Sequence, residues 1–376
     1  MKTQCAVLFE MELPAPYAQS KPLQVLELDL QGPGPGEVLI EVGAAGLCHS
    51  DLSVINGSRP RVMPMVLGHE AAGIVRDVGA GVKDFKAGDH VVFSYVPVCG
   101  HCNPCGTGRA ALCENGASAN VAGTLLTGAK RFSLEGKPLN HHLGVSGFSQ
   151  LTVSAQESLV KLDKSVPLDK AALFGCAVLT GVGAVVNTAK VPAGSSVAVF
   201  GMGGVGLSAI LGARAAGCTP IIAVDTLPAK LELAKKAGAT HTVNAAQGDA
   251  VQALKDLTAG GPMYVFEAVG NEKVLAQAYA ATRRGGVTVT IGLPHPSRQL
   301  SISALSLVAE ERTLMGSYMG SAVPRRDVPR FIAMFQSGLL PVDTLFSRYV
   351  QLSDINAAFD ALDKGEAVRQ VLTFAK

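Results

Sequence analysis

The strongest constraint in this chain is a regular alternation of short apolar runs and helical segments between residues 197 and 291. Strands separated by helices form βαβ units, which require a parallel sheet covered by helices. The pattern predicts strands at 197–200, 221–224, 241–243, 264–268 and 287–291, with helices at 207–216, 228–237, 249–258 and 272–283.

A glycine motif follows the first of these strands and opens the first of these helices. Gly201, Gly203 and Gly206 have the spacing G-x-G-x-x-G. The first glycine permits a tight turn, the second lets a pyrophosphate approach the backbone, and the third lets the helix pack closely on the strand. The amide groups at the helix start, including those of Gly204 and Val205, would face the phosphates. In this context the motif predicts a dinucleotide site.

Asp225 ends the second strand and favours a dinucleotide without a 2′-phosphate on its adenosine ribose. Its carboxylate can accept hydrogen bonds from the adenosine ribose hydroxyls and would repel a 2′-phosphate. No arginine follows it closely, and Lys230 could reach the same ribose. We therefore predict NAD rather than NADP. The alternative interpretation is a glycine-rich turn followed by a surface aspartate.

The remaining sequence has a different pattern and predicts a second domain. A length of 376 residues is too great for one simple core. The N-terminal part contains alternating, strand-like runs, and we expect the C-terminal tail to rejoin it. We predict one domain from residues 1–177 and 322–376, and an NAD-binding domain from 178–321. Further predicted features are strands at 37–42, 71–75, 90–93 and 371–374, a loop-like stretch at 114–147 and helical spacing at 169–186.

Four cysteines lie together in a short segment. Cys99, Cys102, Cys105 and Cys113 are too crowded for ordinary disulfide pairing, and clustered cysteines in a cytosolic protein more often bind metal. Four thiolates with no open ligand position indicate a structural zinc site that stabilises a loop with little apolar core. Reduced cysteines without a metal, or an iron–sulfur cluster, are the alternatives.

A second set of metal ligands is dispersed along the chain. Cys48, His69 and Cys176 would supply two thiolates and one imidazole. Three protein ligands leave a fourth tetrahedral position for water or substrate, which a catalytic zinc requires. Spacing alone does not decide the matter, because a lone buried cysteine is usually a small core residue and a lone histidine is usually structural.

Charge and hydropathy exclude several classes of function. The net charge of +2 provides no basic field for nucleic acid or an anionic membrane. We find no apolar run long enough to span a bilayer and no signal peptide at the N-terminus. We therefore expect a cytoplasmic protein without a nucleic-acid or membrane partner.

Taken together, these motifs resemble the zinc-dependent alcohol dehydrogenases of the medium-chain dehydrogenase/reductase family, in particular their long-chain, dimeric type. The resemblance extends over nearly the whole chain. It includes Cys48-His49-Ser50-Asp51, Gly68-His69-Glu70, Cys99 to Cys113, Gly136-Lys137-Pro138 through Phe148-Ser149-Gln150, Gly175-Cys176, Gly201 to Gly206, Val224-Asp225, Phe266-Glu267 and Arg369 to Phe374.

The resemblance implies an α/β fold in which a Rossmann domain, with its doubly wound parallel sheet, is combined with a β-rich, chaperonin-like (GroES-like) catalytic domain. It implies reversible hydride transfer between an alcohol and NAD, with a catalytic and a structural zinc ion in each subunit of a homodimer. Zinc acts as a Lewis acid on the alcohol hydroxyl.

The same resemblance assigns roles to individual residues. Cys48, His69 and Cys176 would hold the catalytic zinc, with Glu70 beside it as an alternative ligand. Asp51 would orient His69 through its other ring nitrogen, and Ser50 would take the substrate hydroxyl proton. The cofactor would meet Arg369 and His49 at its pyrophosphate and Thr180 at its nicotinamide.

The sequence departs from the family pattern in two places. Some members end a proton relay on a histidine at the position of Ser53, so the relay here would pass through solvent, the cofactor ribose or His49. The glutathione-dependent formaldehyde branch carries an arginine soon after the fourth lobe cysteine and acidic residues after Asp51, both missing here. Arg59 and Arg61 could still bind an acidic group, so S-hydroxymethylglutathione dehydrogenase remains the alternative.

The resemblance also places a substrate pocket and a dimer contact. Primary, allylic or aromatic alcohols are expected, because small Ser50 leaves room in a pocket formed with Tyr95, His142, Leu143 and Leu293. Residues 300–307 are the candidate edge strand for dimerisation. A zinc ribbon that binds nucleic acid, or a zinc-free NADPH-dependent quinone or enone reductase, are the rival classes. A zinc ribbon for nucleic acid would need basic residues in the lobe, where only Arg109 lies between Cys99 and Cys113. A zinc-free reductase would not need the dispersed ligands Cys48, His69 and Cys176.

Overall fold

The computed structural model describes residues 1–374, which divide into two compact units. The first unit contains residues 1–176, 323–332 and those from 346 onward, and the second contains 177–322 and 333–345. Both units are built around β-sheets, but the connections between strands differ.

The strands are β1 (Lys2–Leu8), β2 (Leu23–Leu30), β3 (Glu37–Gly46), β4 (Met65–Val66), β5 (Ala71–Val78), β6 (His90–Phe93), β7 (Phe132–Leu134), β8 (Lys137–Pro138), β9 (Asn140–His141), β10 (Leu151–Ala155), β11 (Leu159–Leu162), β12 (Val197–Phe200), β13 (Ile221–Asp225), β14 (His241–Asn244), β15 (Tyr264–Glu267), β16 (Val287–Thr290), β17 (Thr313–Gly316), β18 (Phe346–Val350) and β19 (Arg369–Thr373).

The α-helices are α1 (Tyr17–Ser20), α2 (His49–Ile55), α3 (Asn103–Gly106), α4 (Glu114–Ala122), α5 (Leu168–Ala171), α6 (Ala177–Gly183), α7 (Gly204–Ala215), α8 (Pro228–Ala237), α9 (Ala250–Leu257), α10 (Glu272–Ala281), α11 (Ala304–Ala309), α12 (Pro324–Gln336) and α13 (Ile355–Asp363). Short 3-10 or π segments lie at Ala110–Leu112, Gln156–Ser158, Ala172–Gly175, Ala184–Thr188, Met319–Ser321, Val342–Leu345 and Leu352–Asp354.

The first unit contains two largely antiparallel sheets. One has the order β8-β7-β2-β1-β4-β9, and the other has the order β11-β6-β5-β3-β19-β18 with β10 also paired to β3. The apolar residues that point inward from β1, β2 and β10 form a core with Leu125, Phe132 and Leu139. The C-terminal strand β19 pairs antiparallel with β3, so the end of the chain completes the sheet that begins near residue 37.

The second unit is the parallel α/β domain that the alternation predicted. Its six strands are all parallel, in the order β14-β13-β12-β15-β16-β17. All four residues of β12 are buried, as expected for a strand with helices on both faces. This topology and the β-rich first unit confirm the predicted fold class.

Three local predictions were wrong. The stretch 114–147, predicted as a loop, contains α4, because the Cys113 sulfur accepts the Gly116 N–H and caps the helix start. The helical run at 169–186 breaks at Cys176, whose φ of −139° is not helical. The stretch 300–307, proposed as an edge strand, includes the start of α11 at Ala304, which the Ser303 hydroxyl caps; the edge strands of this sheet are β14 and β17.

Within residues 1–374, no single helix is both long and apolar enough to cross a membrane, although the helical segments on either side of Cys176 reach that composition together.

Candidate functional site

Three separate segments of the first unit bring the dispersed ligands together. Cys48 lies between β3 and α2, His69 and Glu70 lie between β4 and β5, and Cys176 lies at the break after α5. The turn before His69 requires a glycine: Gly68 has φ +92°, and a Cβ there would overlap the backbone of Phe148.

The four side chains form a buried cluster. One ligand atom each from Cys48, His69, Glu70 and Cys176 lies within 4.8 Å of the other three. Among the described residues, Nε2 of His69 and Oε1 of Glu70 have no hydrogen-bond partner. Buried polar atoms without hydrogen-bond partners destabilise the folded state. Sulfur and imidazole donors at this spacing suit a divalent ion such as zinc, which would satisfy them. The residues therefore fit a bound metal ion.

The cluster also perturbs the acidity of its own members. A hydrogen bond from the Cys176 thiol, together with the positive Arg369, holds the pKa of Cys48 well below its usual range despite burial. The pKa of Cys176 is raised by that same hydrogen bond and by burial. Burial raises the pKa of Glu70 to about 7, although Arg369 opposes the shift.

Asp51 fixes the orientation of the His69 ring. Its Oδ1 lies 3.0 Å from Nδ1 of His69, and both side chains are buried. Burial works against the charged form, but the two neighbouring rings of His69 and His142 keep the pKa of Asp51 below its ordinary value. With Nδ1 donating to the carboxylate, the lone pair of His69 is on Nε2, the atom that faces the cluster.

His142 makes a contact that the sequence did not reveal. It was predicted as a pocket residue, but its Nδ1 lies 3.2 Å from the same Oδ1 of Asp51. The rings of His69 and His142 meet edge to face with centroids 5.6 Å apart. Burial lowers the pKa of His142, although the neighbouring Asp51 opposes the shift. Residues this far apart in sequence carry no local pattern that could have predicted the contact.

The other predicted pocket residues separate into two groups. Tyr95 packs edge-on against His69 at 5.7 Å, and Leu143 is buried next to His142 in the first unit. Leu293 belongs to the second unit and is 51% exposed. Ser50 is half-buried in the first turn of α2.

Two residues of α2 belong to the predicted proton relay. The Ser53 hydroxyl donates to the His49 carbonyl at 2.8 Å, so it is engaged with the helix backbone. The His49 side chain is exposed.

Arg369 in β19 forms a buried ion pair with Glu70. Its Nη1 lies 3.3 Å from Oε2 of Glu70 and also donates to the Leu47 carbonyl. The surrounding carboxylate and thiol groups raise its pKa even though burial opposes the charge. A buried charge of either sign would be strongly unfavourable without this partner.

The four-cysteine lobe has the geometry of a single-ion site. The sulfurs of Cys99 and Cys105 are 4.0 Å apart, and those of Cys102 and Cys113 are 3.9 Å apart. A disulfide requires about 2.05 Å. A tetrahedral zinc with bonds of about 2.3 Å places sulfurs about 3.8 Å apart. The residues therefore fit one zinc ion, and the spacing favours it over a multi-iron cluster.

Backbone groups support these sulfurs. The N–H groups of Cys99 and Gly116 donate to the Cys113 sulfur at 3.3 Å, and the Cys102 N–H donates to the Cys99 sulfur at 3.4 Å. Such donors stabilise thiolate charge. With burial opposing, the N–H groups of His101 and Cys102 lower the pKa of Cys99 to about 6.

The glycine loop of the second unit has the form that a pyrophosphate needs. Gly201 adopts φ +90°, and a Cβ on Gly206 would overlap the carbonyl of Gly201. A Cβ on Gly203 would project into open space, where a phosphate group can approach. The helix α7 begins at Gly204, followed by Val205, so their N–H groups lie in its unpaired first turn. The loop therefore fits a dinucleotide.

The Asp225 carboxylate is bonded to the same loop. One oxygen accepts the Met202 N–H at 2.7 Å, and the other accepts the Leu227 N–H at 3.0 Å. Lys230 is half-buried in the first turn of α8. Thr180 in α6 is buried, and its hydroxyl has no hydrogen-bond partner among the described residues.

Comparison with known proteins identifies two family domains in the chain. Residues 34–164 match the alcohol dehydrogenase GroES-like domain, and residues 204–337 match the zinc-binding dehydrogenase domain. Alcohol dehydrogenase class-3 of Drosophila melanogaster is 41% identical over 95% of this chain and 96% of the relative. An S-(hydroxymethyl)glutathione dehydrogenase of Synechocystis is 39% identical with full coverage of both chains. The crystal structure of benzyl alcohol dehydrogenase from Acinetobacter calcoaceticus superposes with a TM-score of 0.93 at 32% identity, covering both chains completely.

Proposed function

This chain belongs to the zinc-binding alcohol dehydrogenase family, and on that premise we propose that Cys48, His69 and Cys176 hold the zinc at which an alcohol exchanges hydride with NAD. The reaction is reversible and interconverts an alcohol with its aldehyde or ketone. The observation that carries the proposal is the buried cluster in which His69 lies with two sulfurs and its Nε2 has no hydrogen-bond partner within residues 1–374.

When bound, the zinc would lower the pKa of the alcohol hydroxyl as a Lewis acid, and NAD would accept the hydride. The protein's own residues prepare these events. Asp51 holds His69 with Nε2 toward the cluster, while Arg369 compensates the charge of Glu70 next to the ligands. Glu70 lies close enough to serve as an alternative ligand.

Proton transfer starts at Ser50, which takes the hydroxyl proton of the substrate. Because the Ser53 hydroxyl is occupied by the His49 carbonyl, the proton leaves through exposed His49, the cofactor ribose or solvent. In the second unit, the dinucleotide would bind Gly201, Gly203, Gly204, Val205, Gly206, Asp225, Lys230 and Thr180. Arg369 and His49 are further contacts implied by the family resemblance.

The substrate is a primary, allylic or aromatic alcohol. Tyr95 and His142 place aromatic rings beside His69, and small Ser50 leaves room for the substrate, which supports an unsaturated alcohol. The resemblance to a benzyl alcohol dehydrogenase supports this class.

A second candidate function is S-(hydroxymethyl)glutathione dehydrogenase, because several relatives with full coverage carry that name. Arg59 and Arg61, which follow α2, could bind the acidic groups of glutathione.

One screen distinguishes the two functions. NADH formation is followed by absorbance with aliphatic, allylic and benzylic alcohols and, separately, with formaldehyde plus glutathione, and zinc is quantified on the same sample. The first proposal predicts turnover of benzylic and allylic alcohols without glutathione, and two zinc ions per chain. Turnover that requires glutathione would favour the second candidate, and a zinc-free active enzyme would refute both.

We also propose a cytoplasmic homodimer with the domain division predicted above. In the second unit, α11 exposes Leu305 and Val308, at 75% and 77%, just before the edge strand β17. An exposed apolar helix next to a sheet edge in sequence suits association with a second copy. Light scattering that gives the monomer mass would exclude the dimer.

A further inference from the structure

The helix α4, which follows the four-cysteine lobe, is attached to the first unit by an unusual face. Its two buried residues are Gly116 and Asn120, which lie one helical turn apart on the same side. A face made of a glycine and an asparagine buries little apolar surface, so the hydrophobic effect contributes little to holding the helix in place. Its position therefore depends on close backbone contact and on hydrogen bonding.

Both contacts are made to the segment that connects β6 to the lobe. The side-chain amide of Asn120 donates to the carbonyl oxygen of Tyr95 at 2.8 Å, and both residues are buried. A Cβ on Gly116 would overlap the carbonyl oxygen of Pro97, so a glycine is needed for the helix to lie this close. The chain thus passes Tyr95, forms the lobe and returns to the same segment with α4.

Tyr95 is also the residue through which this segment reaches the metal cluster. Its ring lies edge to face with the ring of His69, with centroids 5.7 Å apart. We propose that Asn120 is a positioning residue: by holding the Tyr95 carbonyl, it fixes the Tyr95 ring beside His69 and so determines which alcohols fit there. The inference rests on the proposed function, in which Tyr95 lines the substrate pocket.

The direction of the Asn120 amide makes this hydrogen bond specific. A reversed amide would place its oxygen against the carbonyl oxygen of Tyr95, so the N–H group must point to that carbonyl. Within residues 1–374, the amide oxygen of Asn120 has no hydrogen-bond partner. Loss of the donor would remove a buried hydrogen bond from the Tyr95 backbone and allow the backbone to move. The ring would move with it, and a displacement of about 1 Å near a substrate can change a rate by about 100-fold.

The same hydrogen bond connects the lobe with the substrate pocket. The Cys113 sulfur accepts the Gly116 N–H at 3.3 Å at the start of α4. Asn120 follows one turn later and holds Tyr95. A zinc ion in the lobe would fix Cys113 and thereby the helix that carries Asn120. The lobe would then influence substrate selectivity without contacting the substrate.

The first test measures substrate selectivity in the full-length, zinc-loaded protein with Asn120→Leu, since leucine has a similar volume but no donor. We expect the ratio of kcat/KM for benzyl alcohol to kcat/KM for ethanol to fall by about tenfold. The kcat with ethanol should stay within about threefold, because the zinc ligands are unchanged. Ser118→Ala, on the exposed side of the same helix, is the control and should keep the ratio. An unchanged ratio in Asn120→Leu would overturn the proposal.

A double-mutant cycle shows whether the effect passes through the Tyr95 ring. Tyr95→Ala removes the ring but keeps the backbone carbonyl, so the further change Asn120→Leu should alter the ratio by less than about twofold. A fall of the same size in both backgrounds would mean that Asn120 acts on the fold in general, and would overturn the proposal. If Asn120→Leu does not fold, Asn120→Ala replaces it with the same expected result. Failure of both variants to fold would assign Asn120 to the fold alone and would also contradict the proposal.

A spectroscopic measurement reports on the ring without turnover. In protein labelled with 3-fluorotyrosine, the fluorine resonance of Tyr95 is identified by its absence in Tyr95→Phe. This resonance should shift in Asn120→Leu and remain in place in Ser118→Ala; an unshifted resonance in Asn120→Leu would refute the positioning role. An unchanged protein that fails to oxidise benzyl alcohol would refute the proposed function instead, and the resonance would still show whether Asn120 positions Tyr95.

Discussion

The two cysteine clusters of this protein differ in the origin and the burial of their metal ligands. In the lobe, four thiols come from one short segment, Cys99 to Cys113, and three of them are partly exposed. In the active-site cluster, the ligands come from three separate segments, and every one is buried. The lobe sulfurs are supported by neighbouring backbone N–H groups, whereas the active-site ligands are supported by the side chains of Asp51 and Arg369.

At one site the metal stabilises the protein chain, and at the other the protein chain positions the metal. The lobe has little apolar core, so a metal bound there supplies stability to the local chain. The active-site ligands are fixed by sheets and helices that fold around their own apolar core, so the protein supplies the geometry to the metal. Loss of the metal should therefore have different consequences at the two sites.

The largest effect is expected from Cys176→Ala. Removing one of three protein ligands should lower kcat/KM by about 10³-fold or more, because the metal contributes several kcal/mol to transition-state stabilisation. NADH binding, followed by fluorescence, should remain. Cys218→Ala is the matched control, since Cys218 is also buried but belongs to neither cluster. Substantial turnover by Cys176→Ala would contradict the ligand assignment.

The next effect is expected from Cys102→Ser. Weakening the lobe metal should lower the melting temperature by about 10 °C, equivalent to a few kcal/mol. The kcat of the remaining folded enzyme should change by less than about tenfold. Arg109→Ala, an exposed change in the same lobe, is the control and should melt normally. A normal melting temperature for Cys102→Ser would rule out the structural role.

A smaller effect is expected in the rates at which a chelator removes the two zinc ions. A bidentate chelator can approach a zinc with an open ligand position more readily than one closed by four thiolates. We expect activity to disappear at least about tenfold faster than the lobe zinc leaves, while the melting temperature remains near its starting value. Simultaneous loss of both zinc ions, measured by metal analysis at intervals, would show that the clusters do not differ in this respect.

The smallest effect tests whether cofactor choice is independent of both clusters. Asp225→Gly should narrow the preference for NAD over NADP by about tenfold, since charged hydrogen bonds contribute about 1.5–3 kcal/mol. Both zinc ions should remain. Asp225→Asn keeps an acceptor for the Met202 N–H and therefore controls for damage to the glycine loop. An unchanged ratio of kcat/KM values in both variants would remove Asp225 from cofactor selection.

The sequence by itself determined the features that depend on near neighbours. The βαβ alternation, the glycine loop after β12 and the four-cysteine lobe could all be predicted, because each is specified by residues that lie a few positions apart. Local prediction failed at α4, although its cap is local, and at Cys176, where the helix breaks. The Cys113 sulfur caps an α4 that has little apolar face, and the chain breaks at Cys176 to present its side chain to the cluster.

Only the tertiary structure decided which distant side chains meet. Spacing could not bring Cys48, His69 and Cys176 together, and the resemblance to a family was needed to predict that set. Neither route indicated that the rings of His69 and His142 both lie beside the same oxygen of Asp51. The physical reason is that a hydrogen bond within a helix or turn is fixed by chain geometry, whereas contacts between distant segments depend on how whole sheets and loops pack.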